Sequence, residues 1–142
     1  MNLVYAVKKT GTVLTFPVKA GEKIEAGTCV GIDANGYAVS YVKASADTYK
    51  GVFIALDSID NTNGADGSLL DGEALNCILV YGYGSRLIVK SENLTQGKVL
   101  GNVYGGTSSL SDTPYTTENT TENPLGILIA SLGSNKAEIL IK

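Results

Sequence analysis

Apolar residues in this chain come in short runs that either alternate or are continuous, and almost nothing recurs at helical spacing. Such a pattern argues for a β-fold, because an extended chain points successive side chains to opposite faces. Val13-Leu14-Thr15-Phe16 reads as a strand ended by Pro17, and Lys19-Ala20-Gly21-Glu22 as a turn. Ile24, Ala26, Thr28, Val30 and Ile32 then share one face of an extended segment. Asp33-Ala34-Asn35-Gly36 carries an Asn-Gly hairpin signal, both residues tolerating positive φ. Tyr37, Val39 and Tyr41 return on one face, Ala38 and Ser40 on the other.

Val52 to Leu56 is continuously apolar, as a strand buried on both faces should be, and Leu75 to Val80 reads the same way. In Tyr81-Gly82-Tyr83-Gly84 the glycines share a face, which leaves room there for a neighbouring backbone or ring. Arg86 to Lys90 is a further strand, and Leu94-Thr95-Gln96-Gly97 turns into Val99-Leu100. Leu125 to Ala130 and Ala137 to Ile141 close the chain, with Ser131 to Asn135 as their hairpin connection. The polar stretches 57–72 and 107–123 read as two long surface loops. With 142 residues the chain suits one domain, able to bury roughly 68–70% of its unfolded surface.

Two parts of the sequence echo one another. Ile24-Glu25-Ala26-Gly27 is answered by Leu94-Thr95-Gln96-Gly97, Gly31 by Gly101, and Gly51 to Ala55 by Gly126 to Ala130. The expectation is an all-β fold: a single compact β-barrel over 17–142, built from two similar strand–turn–strand halves, about 19–80 and 90–142. Residues 1–16 precede it as an N-terminal strand or arm.

Little catalytic chemistry is on offer. The chain has no histidine, hence no Ser-His or Cys-His nucleophile and no imidazole ligand. Cys29 and Cys77 sit in apolar runs and read as reduced core residues, although sequence alone leaves a disulfide open. Asp57, Asp60, Asn61, Asn63 and Asp66 suggest calcium, but with Gly64 at the invariant glycine the end ligands fall on Ile59 and Leu70. Gly82 to Leu87 lacks the third glycine of a dinucleotide fingerprint. No catalytic residue, metal or cofactor is expected. The net charge is −3 with lysines and arginines scattered, so no nucleic acid or anionic membrane is expected as partner. No window approaches a membrane span, and MNLVYAVKK lacks the pattern of a secretory signal, so the expected place of synthesis is a cytoplasm. Asn93-Leu94-Thr95 and Asn119-Thr120-Thr121 then match the glycosylation pattern by chance.

The phrase VKAGEKIEAG resembles the opening hairpin of lipoyl and biotinyl carrier domains. Such carriers present a modified lysine at the hairpin tip. Here the tip is Asp33 to Gly36, and it contains no lysine. A carrier or small ligand-binding barrel without that lysine stays open as the alternative function.

The order of marks as a whole resembles the small β-barrel decoration proteins of tailed-phage heads, also called cement or head-stabilising proteins. The resemblance lies in Ala20 to Val30 with the following hairpin, in Gly51 to Ala55, and in Leu125 to Ile141. It implies a structural virion protein that binds the outside of an assembled capsid and stabilises the head lattice without catalysis. The implied partners are the major capsid protein and further copies of the chain, as a trimer over threefold positions. Residues 2–11 have no hairpin partner adjacent in sequence. They read either as an ordinary first strand or as an arm that adds to a sheet edge of a partner. In the second case Val4, Tyr5 and Val7 would fill pockets and Lys8 and Lys9 would lie against the shell.

Overall fold

The computed structural model describes residues 2–9, 11–62, 76–92, 94, 99–115 and 122–142, with the Lys9 side chain left out. The fold is all-β. Among the described residues the helical content is one short 3-10 helix, Lys43–Thr48. The strands are β1 (Val4–Lys9), β2 (Val13–Pro17), β3 (Lys23–Ile24), β4 (Cys29–Ile32), β5 (Ala38–Ser40) and β6 (Gly51–Ala55). They continue with β7 (Ile59–Asp60), β8 (Cys77–Tyr81), β9 (Arg86–Lys90), β10 (Asn102–Val103), β11 (Gly126–Gly133) and β12 (Lys136–Ile141).

Two five-stranded sheets carry the structure, in the orders β1-β9-β12-β11-β10 and β2-β8-β6-β4-β5, and β3 pairs with β7 in a small third sheet. Every ladder pair is antiparallel. Four strands of each large sheet follow one chain order. The first lies beside the fourth, then come the third and the second: β9-β12-β11-β10 and β2-β8-β6-β4. That order is a Greek key, in which a long connection returns one strand to the far side of a meander. β1 is added at the edge of one sheet and β5 at the edge of the other.

The chain passes between the sheets twice at one place. β1 runs into β2 through residues 10–12, and β8 runs into β9 through Gly82 to Ser85. These crossings run against each other: the Thr12 N–H donates to the Tyr83 carbonyl at 3.0 Å, and the Gly82 N–H to that of Thr12 at 2.8 Å. A Cβ on Gly82 would stand 2.4 Å from the Thr12 carbonyl oxygen, and one on Gly11 2.4 Å from the Gly84 carbonyl carbon. The close backbone approach expected beside Gly82 is therefore present. The segment turns at Tyr83 and Gly84, however, so its residues do not alternate as in a strand.

The core lies between the large sheets and includes Val30, Phe53, Ile54, Ile78, Val80, Leu87, Val89, Leu128, Ile139 and Ile141. Val52 to Ala55 is buried throughout, as the continuous apolar run requires. Asp33 to Gly36 closes β4 onto β5 with only Gly36 at positive φ, and Asp33 Oδ1 accepts the Asn35 and Tyr37 N–H groups. Ser134 and Asn135, both at positive φ, form the tight turn from β11 to β12. Paired left-handed residues match the twist of a hairpin.

Several expectations need correction. Ile24 to Ile32 is not one extended segment: Gly27 at φ 77° breaks it into β3 and β4, and Thr28 turns back to bond Glu25. The left-handed φ favours glycine there, and a Cβ would also displace the Asn2 side chain that packs on Gly27. β8 is not buried on both faces; it alternates, with Cys77 and Leu79 exposed. Cys77 is thus no core residue, and both thiols are free.

The loop regions are not wholly solvent-facing. Ile59 and Asp60 form β7, the Asn61 side chain is buried and donates to the Val18 carbonyl, and Leu110 is fully buried. Its backbone bridges Ser91, while Ser111 bridges Tyr104. These short contacts satisfy backbone groups that burial would otherwise leave unpaired. Residues 63–75, 95–98 and 116–121 lie outside the described residues, and with them the Asn63-Gly64, Asp66-Gly67, Thr95-Gln96-Gly97 and Asn119-Thr120-Thr121 readings.

Candidate interaction surface

β1 is an edge strand whose inner neighbour is β9. Leu3 just before it is fully buried, and the Leu3 carbonyl accepts the Lys90 N–H at 2.8 Å. Residues 4–9 therefore belong to the chain's own sheet, and an added strand would have to use the outer edge of β1. Irregularities between Val4 and Ala6 and between Val7 and Lys9 kink that edge. Bulges and lysines are the usual means by which edges resist further pairing. Side chains, more than main chain, are what β1 offers a partner.

The residues singled out from sequence divide between two faces. Val4 and Val7 stand opposite Val89 and Leu87, on the core side; Val4 packs on the core and Val7 is 40% exposed. Tyr5, 48% exposed, and Lys8 point to the outer side. Backbone pairing sets Lys9 opposite Arg86, and its side chain is outside the described part.

The outer side has more to it than β1. β9 and β12 place Lys90 opposite Lys136, Ile88 opposite Glu138 and Arg86 opposite Leu140, and Ala6 joins Ile88. Ile127 continues the face beside Leu140. Glu138 is only 4% exposed although it stands on the outer face of a sheet. Arg86 Nη2 donates to Oε1 at 2.6 Å and Lys8 Nζ to Oε2 at 3.2 Å, so two long side chains close over the carboxylate. Burial by itself would raise the Glu138 pKa, but these two cationic donors outweigh it and hold the carboxyl below its ordinary value. The Tyr5 ring lies under two ammonium groups, Lys136 Nζ at 4.6 Å and Lys90 Nζ at 5.6 Å from its centroid.

Arg86, Lys90, Lys136 and Glu138 escape a reading of the sequence, in which the basic residues look scattered. The structure gathers Lys8, Arg86, Lys90 and Lys136 on one face. Part of the signal is local: Arg86, Ile88 and Lys90 share a face by strand period, as do Lys136, Glu138 and Leu140. What local pattern does not contain is that β9 and β12 are neighbours.

No protein-family model, curated protein or solved structure matches the chain.

A second polar cluster is internal. Tyr41 Oη donates to Glu122 Oε1 at 2.8 Å, the other carboxylate oxygen accepts the Tyr115 N–H, and Asn123 Nδ2 donates to the Tyr49 carbonyl. Burial, with the Glu122 hydrogen bond second, raises the Tyr41 pKa, and burial pushes the Cys29 thiol up to about 12. Cys29 is therefore a neutral thiol at physiological pH, unsuited to nucleophilic attack. The carboxylate of Glu122 ties the residues around 122 to the sheet below. No helix among the described residues is long and apolar enough to cross a membrane.

Proposed function

We propose that this chain is a structural virion protein that binds the outside of an assembled tailed-phage capsid and stabilises the head lattice without catalysis. The observation that carries the reading is the outer side of β1 and its sheet: Tyr5, Ala6 and Lys8 exposed on a rigid sheet face, beside half-buried Ile88, Ile127 and Leu140. An exposed tyrosine and an arginine, Tyr5 and Arg86, are the residue types enriched at protein-binding surfaces. Partners in this reading are the major capsid protein and further copies of the chain, arranged as a closed trimer, and the location is the capsid exterior.

The finer architecture is proposed with it: one barrel of two similar halves. The shared strand order of β2-β8-β6-β4 and β9-β12-β11-β10 supports two copies of one unit. In both, the strand holding or following the echoed glycine, β4 with Gly31 and β10 after Gly101, pairs antiparallel with the Gly51 or Gly126 strand. The crossings at residues 10–12 and 82–85 join the sheets on one side, as strands that switch sheets do at barrel corners. On the other side Gly105 lies against Tyr41 and Val52.

Co-sedimentation of the purified chain with assembled heads of the phage encoding it tests the function. Saturable binding at a fixed number of copies per capsid is the expected result. Failure to sediment with intact heads would remove the proposal.

A further inference from the structure

The cations on the outer face of the β1-β9-β12 sheet are unequally satisfied. Lys8 and Arg86 share the Glu138 carboxylate. Lys90 and Lys136 stand directly opposite each other on adjacent strands, where like charges repel. Among the described residues neither has a carboxylate within ion-pair distance; both rest over the Tyr5 ring. An acid at position 136 would serve the sheet better than a second lysine. The Tyr5 ring holds both ammonium groups in place but supplies no anion to neutralise them.

We propose that Tyr5, Lys90 and Lys136 form a docking site for a carboxylate-rich protein surface, an Asp or Glu of the partner entering between the two ammonium groups. The site deepens the capsid-binding proposal and rests on it for where the partner is found. Charge complementarity argues for this occupant. The chain is acidic overall, at −3, while this face sets four cations against Glu138. A cavity of about 270 Å3 opens beside Tyr5 and Lys90, lined also by Ser108, Ser109 and Asn135, with Glu92 on its wall. The hydroxyl and amide groups add hydrogen-bonding partners for a carboxylate, whereas Glu92 repels an acid at that wall. Ile88 lies between Arg86 and Lys90 on β9 and suits an apolar neighbour of the entering acid. A nucleic-acid backbone fits less well, since Glu92 and Glu138 interrupt the cations and the net-negative chain repels it at distance.

Three measurements on the full chain decide it. In amide NMR spectra at low salt, short poly-L-glutamate is expected to shift Tyr5, Lys90 and Lys136. The affinity should fall about tenfold in Lys136→Glu and weaken similarly from about 20 to about 200 mM salt. Lys136→Glu should melt at about the same temperature as the parent, because the attraction of the new carboxylate for Lys90 offsets the lost contact with the Tyr5 ring. Lys136→Gln provides a neutral second variant with the same expected loss. Unchanged poly-L-glutamate binding in both variants overturns the proposal, as does duplex DNA of equal charge binding as tightly. Capsid co-sedimentation separates the two levels. If the parent protein fails to sediment while the poly-L-glutamate result holds, the capsid reading falls and the carboxylate site stands. If parent and Lys136→Glu sediment equally, the capsid reading stands and the carboxylate site falls.

Discussion

Arg86 Nη2 lies 2.6 Å from Glu138 Oε1, joining β9 to β12 through a carboxylate that is almost wholly covered on the outer face of a sheet. Because Lys8 bonds the other oxygen, the same carboxylate also fastens β1. One side chain thus holds three adjacent strands.

Acid should loosen this clamp. The Glu138 pKa is lowered in the folded state, so its contribution is present above the ordinary Glu value, about 4.3, and is lost as pH falls through the lowered folded value. Urea unfolding between pH 7 and pH 3 should show a drop in stability that is smaller in Glu138→Gln. At pH 7 that variant should be less stable by about 1–2 kcal/mol, a charge-assisted bond discounted for the half-exposed Lys8 and Arg86. Equal acid sensitivity in both proteins would show that other groups govern it.

The two thiols should react differently. Cys77 is exposed and Cys29 buried with its pKa pushed up to about 12. A thiol reagent at pH 8 is expected to modify Cys77 promptly and Cys29 only on unfolding. Rapid modification of both in native buffer would contradict the buried position of β4.

Tyr41→Phe removes the donor to Glu122 and leaves a buried carboxylate oxygen without it. The expected loss is roughly 1–3 kcal/mol by chemical denaturation. Early proteolysis after Tyr115 in the variant would show that Tyr115 and Glu122 are held in place through this bond.

Gly82→Ala places a methyl against the Thr12 backbone, which cannot move as a flexible side chain would. A loss of roughly 1–3 kcal/mol is expected, as for overpacking in a core. Gly36→Ala meets nothing within 4 Å, and its cost should come only from the left-handed backbone. If the two variants proved equally stable, the crossing at Gly82 would be looser than described.

Deleting residues 2–9 removes fully buried Leu3 and the strand that covers β9. Loss of cooperative unfolding is expected, measured by circular dichroism. A truncated protein as stable as the parent would make β1 a dispensable arm.

Much of the fold is legible in the sequence because strand period and turn chemistry are local. Val13 to Pro17, Arg86 to Lys90 and the two closing strands can be read directly from their alternation, although β11 runs on to Gly133 where the sequence suggests a connection from Ser131. Leu110 cannot, because a single leucine in a Ser/Thr-rich stretch gives no period to detect. Cys77 and Leu79 mislead for the opposite reason: an apolar run marks a strand without telling which face is covered. The basic face is invisible because Lys8, Arg86, Lys90 and Lys136 come from three strands: the Greek-key return brings β12 beside β9, and β1 joins β9 as an added edge, and neither pairing is a local pattern.

The paired crossings at residues 10–12 and 82–85 also bear on how the chain acquires its shape. β1 and β2 at the start of the chain pair with β9 and β8 far along it, as Val4 does with Val89 and Phe16 with Ile78. Closing such wide loops costs entropy before any contact rewards it, which places the protein among slow-folding topologies, in the millisecond-to-second range. β1 and β2 leave the ribosome before β8 and β9 and must wait for them to be synthesised. Until then the apolar side chains of β1 and β2 have no strand beside them, and their exposure during synthesis is a built-in aggregation hazard.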